Sequence, residues 1–157
     1  MNTINKDDLL YLAGLIDGDG SIVAQMVRRP DYVYRFQIRL TVQISQRMRR
    51  RHHLEHIRKI IGHGIVRDRG DMSDYVLTET RMVYQFLKQL APFLRIKKKQ
   101  ANLIIKIIEQ LPSSKNSALL FIELCRLADQ VAELNDSKSR EINAEVVANL
   151  LKELKVI

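Results

Sequence analysis

Tryptophan is absent from this chain, and cysteine, proline and glycine are scarce: one, three and six among 157 residues. The lone cysteine, Cys125, excludes an intrachain disulfide, and its setting in ALLFIELCRLA suits a buried thiol rather than a nucleophile. No apolar run nears the roughly 20 residues of a membrane span. The opening MNTINKDDLL has neither the apolar core of a signal peptide nor the Arg-rich, acid-poor character of a transit peptide. A soluble protein, at work in the compartment where it is made, is the expectation. With 46% hydrophobic residues the chain suffices for one domain with a real core.

Acids are missing from one place in particular. Residues 25 to 51 hold eight arginines against a single acid, Asp31, whereas residues 101 to 157 hold seven basic residues against eight acidic ones. The net charge of +8 is therefore concentrated in the first two thirds, as expected of a polyanion-binding surface backed by a neutral helical part.

Several stock motifs fail on spacing. DGDGS hints at a calcium loop, but counting from Asp17 puts Ile22 where the glycine belongs and Arg28 where the glutamate belongs. GHG at 62 to 64 lacks the third glycine of a dinucleotide fingerprint, and no Walker loop is present. His52 and His56 lie one helical turn apart beside His53, yet neither the later His63 nor Cys125 stands at a spacing that completes a zinc set.

The periodicities are clearer. Asn5 caps a first helix running to about Asp17. From Ser21 the period becomes two, with Ile22, Ala24 and Met26 alternating with Val23, Gln25 and Val27 before a turn at RRPD. YVYRFQIRLTVQISQ then puts Tyr32, Tyr34, Phe36, Ile38, Leu40, Val42 and Ile44 on one side and Arg35, Gln37, Arg39, Thr41, Gln43 and Ser45 on the other. That is a long strand with one face on a core, and its polar face offers the Arg and Gln groups that bond guanine and adenine edges. Val27 and Val33 on the outward side would suit thymine methyls.

A basic helix from about 47 to 61 follows, with Met48, Leu54, Ile57, Ile60 and Ile61 apolar. A hairpin turning near Gly70 and Asp71 comes next, with Arg67, Arg69 and Asp74 on its polar face and Tyr75 and Leu77 opposite. Helices are expected at about 80 to 91, 95 to 110, 118 to 134 and 143 to 155, with Pro92 and Pro112 as breaks and Asn143 as a cap. The order is αββαββα plus a helical tail: an α+β fold with four antiparallel strands and helices on one face. We expect one domain over 1–157, with a core over 1–110 and C-terminal helices over 111–157.

The sharpest feature is LAGLIDGDG at 12 to 20, which weakens a helix with glycine and then crowds carboxylates at its C-terminal end, where the helix dipole disfavours them. Leu10, Ala13, Gly14 and Asp17 share a helical face, and small residues there let a second backbone approach. If two such helices pack in parallel, their carbonyl ends and Asp19 residues converge. That arrangement is repulsive by itself and favourable around divalent cations.

YLAGLIDGDGS resembles the signature of the LAGLIDADG homing endonucleases, with Gly18 in place of the usual alanine. The resemblance continues through VRDRG, SDY, KKKQANL, KIIEQLP and LNDSKSR, and is to the single-motif, homodimeric kind. It implies an αββαββα fold whose sheet forms a saddle on double-stranded DNA. It also implies metal-dependent cleavage of a long pseudo-palindromic target with short 3′ overhangs.

On this resemblance Asp19 and the Gly18 carbonyl hold metal, with Asp19, Gln46, Arg50 and Lys97 catalytic and Asp17 bracing the helix end. Leu10, Ala13, Gly14 and Asp17 form the dimer interface. Gln25, Arg29, Tyr32, Arg35, Gln37, Arg39, Gln43, Ser45, Arg67, Arg69 and Asp74 face DNA, with Lys138 and Arg140 touching phosphates from the NDSKSR loop. Mg²⁺ is the implied cofactor, with Mn²⁺ a substitute and Ca²⁺ binding without supporting cleavage. An organelle genome, a chloroplast ahead of a mitochondrion, is the implied setting. Two readings compete: a noncatalytic nucleic-acid binder or intron RNA maturase on the same fold, and a basic structural or ribosome-associated protein.

Overall fold

The computed structural model describes residues 1–136 and 140–157. The elements are α1 (Lys6–Asp19), β1 (Gly20–Arg28), β2 (Phe36–Arg47), a 3₁₀ turn at Met48–Arg50, α2 (Arg51–Ile61), β3 (Ile65–Arg69), β4 (Met72–Leu77), α3 (Thr80–Leu90), a 3₁₀ turn at Ala91–Phe93, α4 (Lys98–Ser114), α5 (Ala118–Leu134) and α6 (Ala144–Glu153). The strand order is β1-β2-β4-β3. The expected αββαββα order with a helical extension is the observed one.

The chain divides into two compact units, Met1–Ile22 with Leu40–Asn102 and Val23–Arg39 with Leu103–Ile157. In the first, α2 packs on β3 and β4, and α1 packs on α3. Leu54, Ile57 and Ile61 are fully buried at helical spacing on α2, and burying each such side chain contributes about 1.5–3 kcal/mol. That helix ends where Gly62 takes a left-handed conformation (φ 83°) and donates its N–H to Arg58 O. Asn2 closes the same end, its side chain donating to Lys59 O at 3.1 Å and its backbone N–H to Ile61 O at 3.2 Å. In the second unit α5 packs on α6, and Cys125 on α5 is fully buried, as expected. Burial pushes its thiol up to about 12, which leaves it protonated and inert at neutral pH.

Asn5 and Asn143 cap as expected, their side chains accepting from Asp8 N and Val146 N. Elsewhere the expected boundaries move, each for a local reason. β2 starts at Phe36, not Tyr32, because Arg35 has φ 64° and Arg29 N bonds Arg35 O at 2.8 Å, closing residues 29–35 into a loop. Met48, expected on the apolar face of a helix, is exposed in the 3₁₀ turn, where its N–H goes to Asp71 O. α4 begins at Lys98 rather than at 95, since Asp17 takes the N–H groups of Arg95 and Lys97. Pro112 does not break α4; it sits in the last turn, and Ser114 Oγ bonds Leu111 O to close the end. Proline costs least in a helix's first turn, where the N–H is unpaired anyway; here, in the last turn, one backbone bond is forgone.

Candidate active site and nucleic-acid interface

In the first unit the site is built at the end of α1. Asp19, expected just beyond this helix, is its last residue. The change from helix to strand is made at Gly20, whose N–H bonds Ile16 O. A Cβ at Gly20 would lie 2.8 Å from Ile16 Cα, so only glycine lets the chain turn this closely and leave Asp19 projecting. Gln46, buried near the end of β2, donates from Nε2 to Asp19 Oδ2 at 2.9 Å. Arg50 Nε in turn donates to Gln46 Oε1 at 2.7 Å. This relay fixes the amide so that its N–H₂ must face the carboxylate.

Asp17 and Lys97 form a second pairing. Asp17 accepts from Arg95 N at 2.8 Å and from Lys97 N at 3.0 Å, while Lys97 Nζ donates to the backbone carbonyl of Asp17 at 2.8 Å. Partial burial works to raise the Asp17 carboxyl, but the backbone N–H groups of Arg95, Lys97 and Ile96 outweigh it and hold the group below the usual carboxylate value. The Lys97 ammonium thus lies at the negative end of α1, where a cation is favoured. The sequence suggested that Asp17 braces its own helix end; the structure has its side chain brace residues 95–97.

For a divalent cation the donor chemistry is suitable. Asp19 is exposed, its Oδ1 has no partner among the described residues, and the last carbonyls of a helix lack intrahelical donors; both are hard oxygen ligands. Among the described residues no three His, Cys, Asp or Glu side chains gather as a metal cluster; of the two carboxylates at this helix end Asp17 is engaged by Arg95 N and Lys97 N, which leaves Asp19 to face a cation.

The outer side of α1 carries Leu10, 49% exposed, and Gly14, where a Cβ would meet nothing within 4 Å. Ala13 differs from its expected companions: it is 2% exposed and packs inside its own chain with Leu9, Leu12 and Ile16. Tyr11 joins the exposed stripe instead, 50% exposed, with its hydroxyl 2.6 Å from His53 Nε2. Its spacing of three residues from Gly14 was the sequence signal for that placement.

The polar face in this unit centres on Asp74, which has a fully buried side chain. The registers align Ser45 and Arg67 with Asp74 on neighbouring strands. Ser45 Oγ donates to Asp74 Oδ1 at 2.6 Å, Arg69 Nε and Nη2 donate to its two oxygens at 3.0 and 3.2 Å, and Arg67 Nε lies 3.7 Å away. Gln43 Nε2 extends the chain to Ser45 Oγ at 3.3 Å. Arg69's hydrogen bonds, together with Ser45 and the charges of Arg69 and Arg67, hold the carboxyl below its usual value against burial. Asp74, expected to face DNA, is therefore an anchor beneath two exposed arginines.

In the second unit Gln25 and Arg39 are exposed on β1 and β2. Arg29 donates to Gln37 Oε1 at 3.0 Å and stacks over Tyr32, while Arg35 Nη1 bonds Pro30 O at 2.8 Å. Arg140, expected on phosphate, is turned inward: its guanidinium donates to Ala128 O at 3.1 Å and Ala24 O at 3.2 Å and pairs with Asp129 at 3.3 Å. The several carbonyl acceptors there outcompete solvent for the fork of donors. Lys138, the other residue expected from that loop, lies outside the described residues.

Residues 12–108 match the family model for LAGLIDADG endonucleases. The chain is 52% identical over 155 residues to the DNA endonuclease I-CreI of Chlamydomonas reinhardtii, covering 98% of this chain and 95% of that protein. It is 41% identical over 145 residues to the DNA endonuclease I-CvuI of Chlorella vulgaris, covering 92% and 89%. The solved structure of I-CvuI with the I-CreI target in 2 mM Mg, in which the DNA is not cleaved, superposes with a TM-score of 0.91 at 37% identity over 97% of each chain. The archaeal intron-encoded homing endonuclease I-Vdi141I bound to DNA, at 19% identity and TM-score 0.84 over 98% and 100% of the two chains, shares the fold. With the signature at 12–20, the αββαββα order and a family match across most of its length, the chain belongs to the LAGLIDADG endonuclease family.

Proposed function

We propose that this protein is a site-specific DNA endonuclease of the homing type, which works as a homodimer with a divalent cation and cuts both strands of a long pseudo-palindromic duplex. The observation that carries this reading is the Asp19–Gln46–Arg50 relay at an exposed helix end. A single carboxylate so held is an incomplete hydrolytic site, and a second copy related by twofold symmetry completes it. Open space at Gly14 beside exposed Leu10 supports the same conclusion, because the protomer has no packing need for a glycine there.

Asp19, with the helix-end carbonyl of Gly18, would hold the cation, for which Mg²⁺ fits the hard oxygen donors. When bound, such a cation supplies neutralisation of phosphate charge and activation of water. The chain's own groups do the rest. Gln46 fixes the orientation of Asp19, and Arg50 fixes Gln46 while keeping its terminal N–H groups available to a phosphate oxygen. Lys97 adds a positive charge near the end of α1 that favours the developing negative charge of phosphoryl transfer. The outward residues of the strands supply phosphate and base contacts, and β2, at roughly 3.3 Å per residue, tracks on the order of 10 base pairs. Two protomers cover about 20, with an intron in a chloroplast genome as the setting.

The test is linearisation of a plasmid carrying a target selected from a randomised duplex library. Wild type linearises it with Mg²⁺ and leaves it intact in EDTA, and Asp19→Asn leaves it uncut with Mg²⁺ while still retarding the duplex in a gel. Undiminished cutting by Asp19→Asn would overturn the metal assignment, and a monomer at micromolar concentration on the target would overturn the shared site.

A further inference from the structure

Resting on the reading as a site-specific DNA endonuclease, we propose that Arg29, Tyr32 and Gln37 act as one composite reader selecting guanine at a single base pair per protomer. Counted singly, the two polar residues suggest otherwise: a free glutamine pairs with adenine, donating to N7 and accepting from N6, and a free arginine pairs with guanine. Here they are not free. Arg29 Nη1 donates to Gln37 Oε1 at 3.0 Å, so one of the two lone pairs of the acceptor that adenine's amino group requires is already engaged by a guanidinium. A second donor brought to that oxygen would also lie against a fixed positive charge.

The groups that Gln37 and Arg29 themselves have left are donors, beside a Tyr32 hydroxyl that can donate or accept. The Gln37 amide keeps both N–H groups, and Arg29 keeps those not directed at Gln37 or at Asp31, whose Oδ1 lies 3.5 Å from Nε. A surface made of donors matches the N7 and O6 acceptors of guanine, and among major-groove base edges only guanine offers two acceptors.

The geometry is set before any ligand arrives. Arg29 lies over the Tyr32 ring at 4.6 Å from its centroid, a cation–π platform that orients the guanidinium plane. The loop beneath is tied by Arg29 N to Arg35 O, Tyr32 N to Arg29 O and Arg35 N to Tyr32 O, at 2.8 to 2.9 Å. Gln37 enters from β2, two residues beyond Arg35, whose φ of 64° sets where that strand starts.

The experiment is target selection from a randomised duplex library with wild type, Arg29→Ala and Gln37→Ala. Wild type should select guanine at one position in each half of its target. Arg29→Ala frees Gln37 Oε1 and should change the preference at that same position to adenine, by roughly tenfold or more. Gln37→Ala should weaken the guanine preference there without changing the base chosen. Guanine retained unchanged in Arg29→Ala, or the two variants altering different positions, would overturn the composite reader. The reading as a sequence-specific endonuclease would survive that result. Only the absence of any wild-type consensus would remove both. Tyr32→Leu distinguishes positioning from folding: its urea midpoint should stay close to that of wild type while the selectivity for guanine at that position falls severalfold.

Discussion

Gln46 donates a hydrogen bond to Asp19 Oδ2 at 2.9 Å, across 27 residues of sequence, from a side chain that is itself held by Arg50. The carboxylate is thereby aimed by an amide that cannot flip without losing both bonds. Gln46→Ala should lower kcat about 10²-fold, in line with the loss of one aimed donor. Its dissociation constant for the target, measured with Ca²⁺ by gel retardation, should stay within about twofold of wild type. An equal loss in binding would assign Gln46 to recognition instead.

Asp17→Asn should reduce stability by about 0.5–2 kcal/mol, the usual cost of weakening a cap, because Arg95 N and Lys97 N lose a charged acceptor. Its pH dependence follows from the direction of the shift. The folded carboxyl lies below its ordinary 3.8, so its contribution is present in full above that value and fades as pH falls through the lower folded one. Urea midpoints of wild type and Asp17→Asn should therefore differ at pH 6 and converge as the solution is acidified below about pH 4.

Asp74→Asn removes the charge beneath Arg67 and Arg69 while keeping the shape. A cost of about 1–3 kcal/mol is expected for a buried, charge-assisted network left with a weaker acceptor. Base preference should broaden at the positions read by the two arginines, measured by cleavage of single-substitution targets. Unchanged preference with lowered stability would make Asp74 structural alone.

Gly14→Gln tests the dimer. Nothing lies within 4 Å of a Cβ at this position, so the protomer should gain up to about 1 kcal/mol from better helix propensity. The same side chain would block the approach of a second α1. Sedimentation should show a folded monomer with no cutting activity; a dimer of normal activity would move the interface elsewhere.

The chain's chemistry was legible wherever it is local. Alternation along β2, the caps at Asn5 and Asn143 and the glycine–aspartate run at the end of α1 depend on neighbours within a few residues, and the elements formed accordingly. Patterns fix which residue types share a face, but not which face of a small-residue helix turns inward. Ala13 went into the core and Gly14 stayed outside because α1 packs on α3 in one rotation only.

Tertiary structure decided every pairing between distant polar groups. Asp74 became an anchor because strand register put Ser45 and Arg67 beside it, and Asp17 caps residues 95–97 because the chain returns there after some eighty residues. Arg140 turned inward for the same reason, meeting carbonyls of Ala24 and Ala128 that no sequence pattern links to it. Hydrogen bonds need atoms within about 3 Å. Periodicity sets the direction of a side chain, and only the folded backbone sets what it meets.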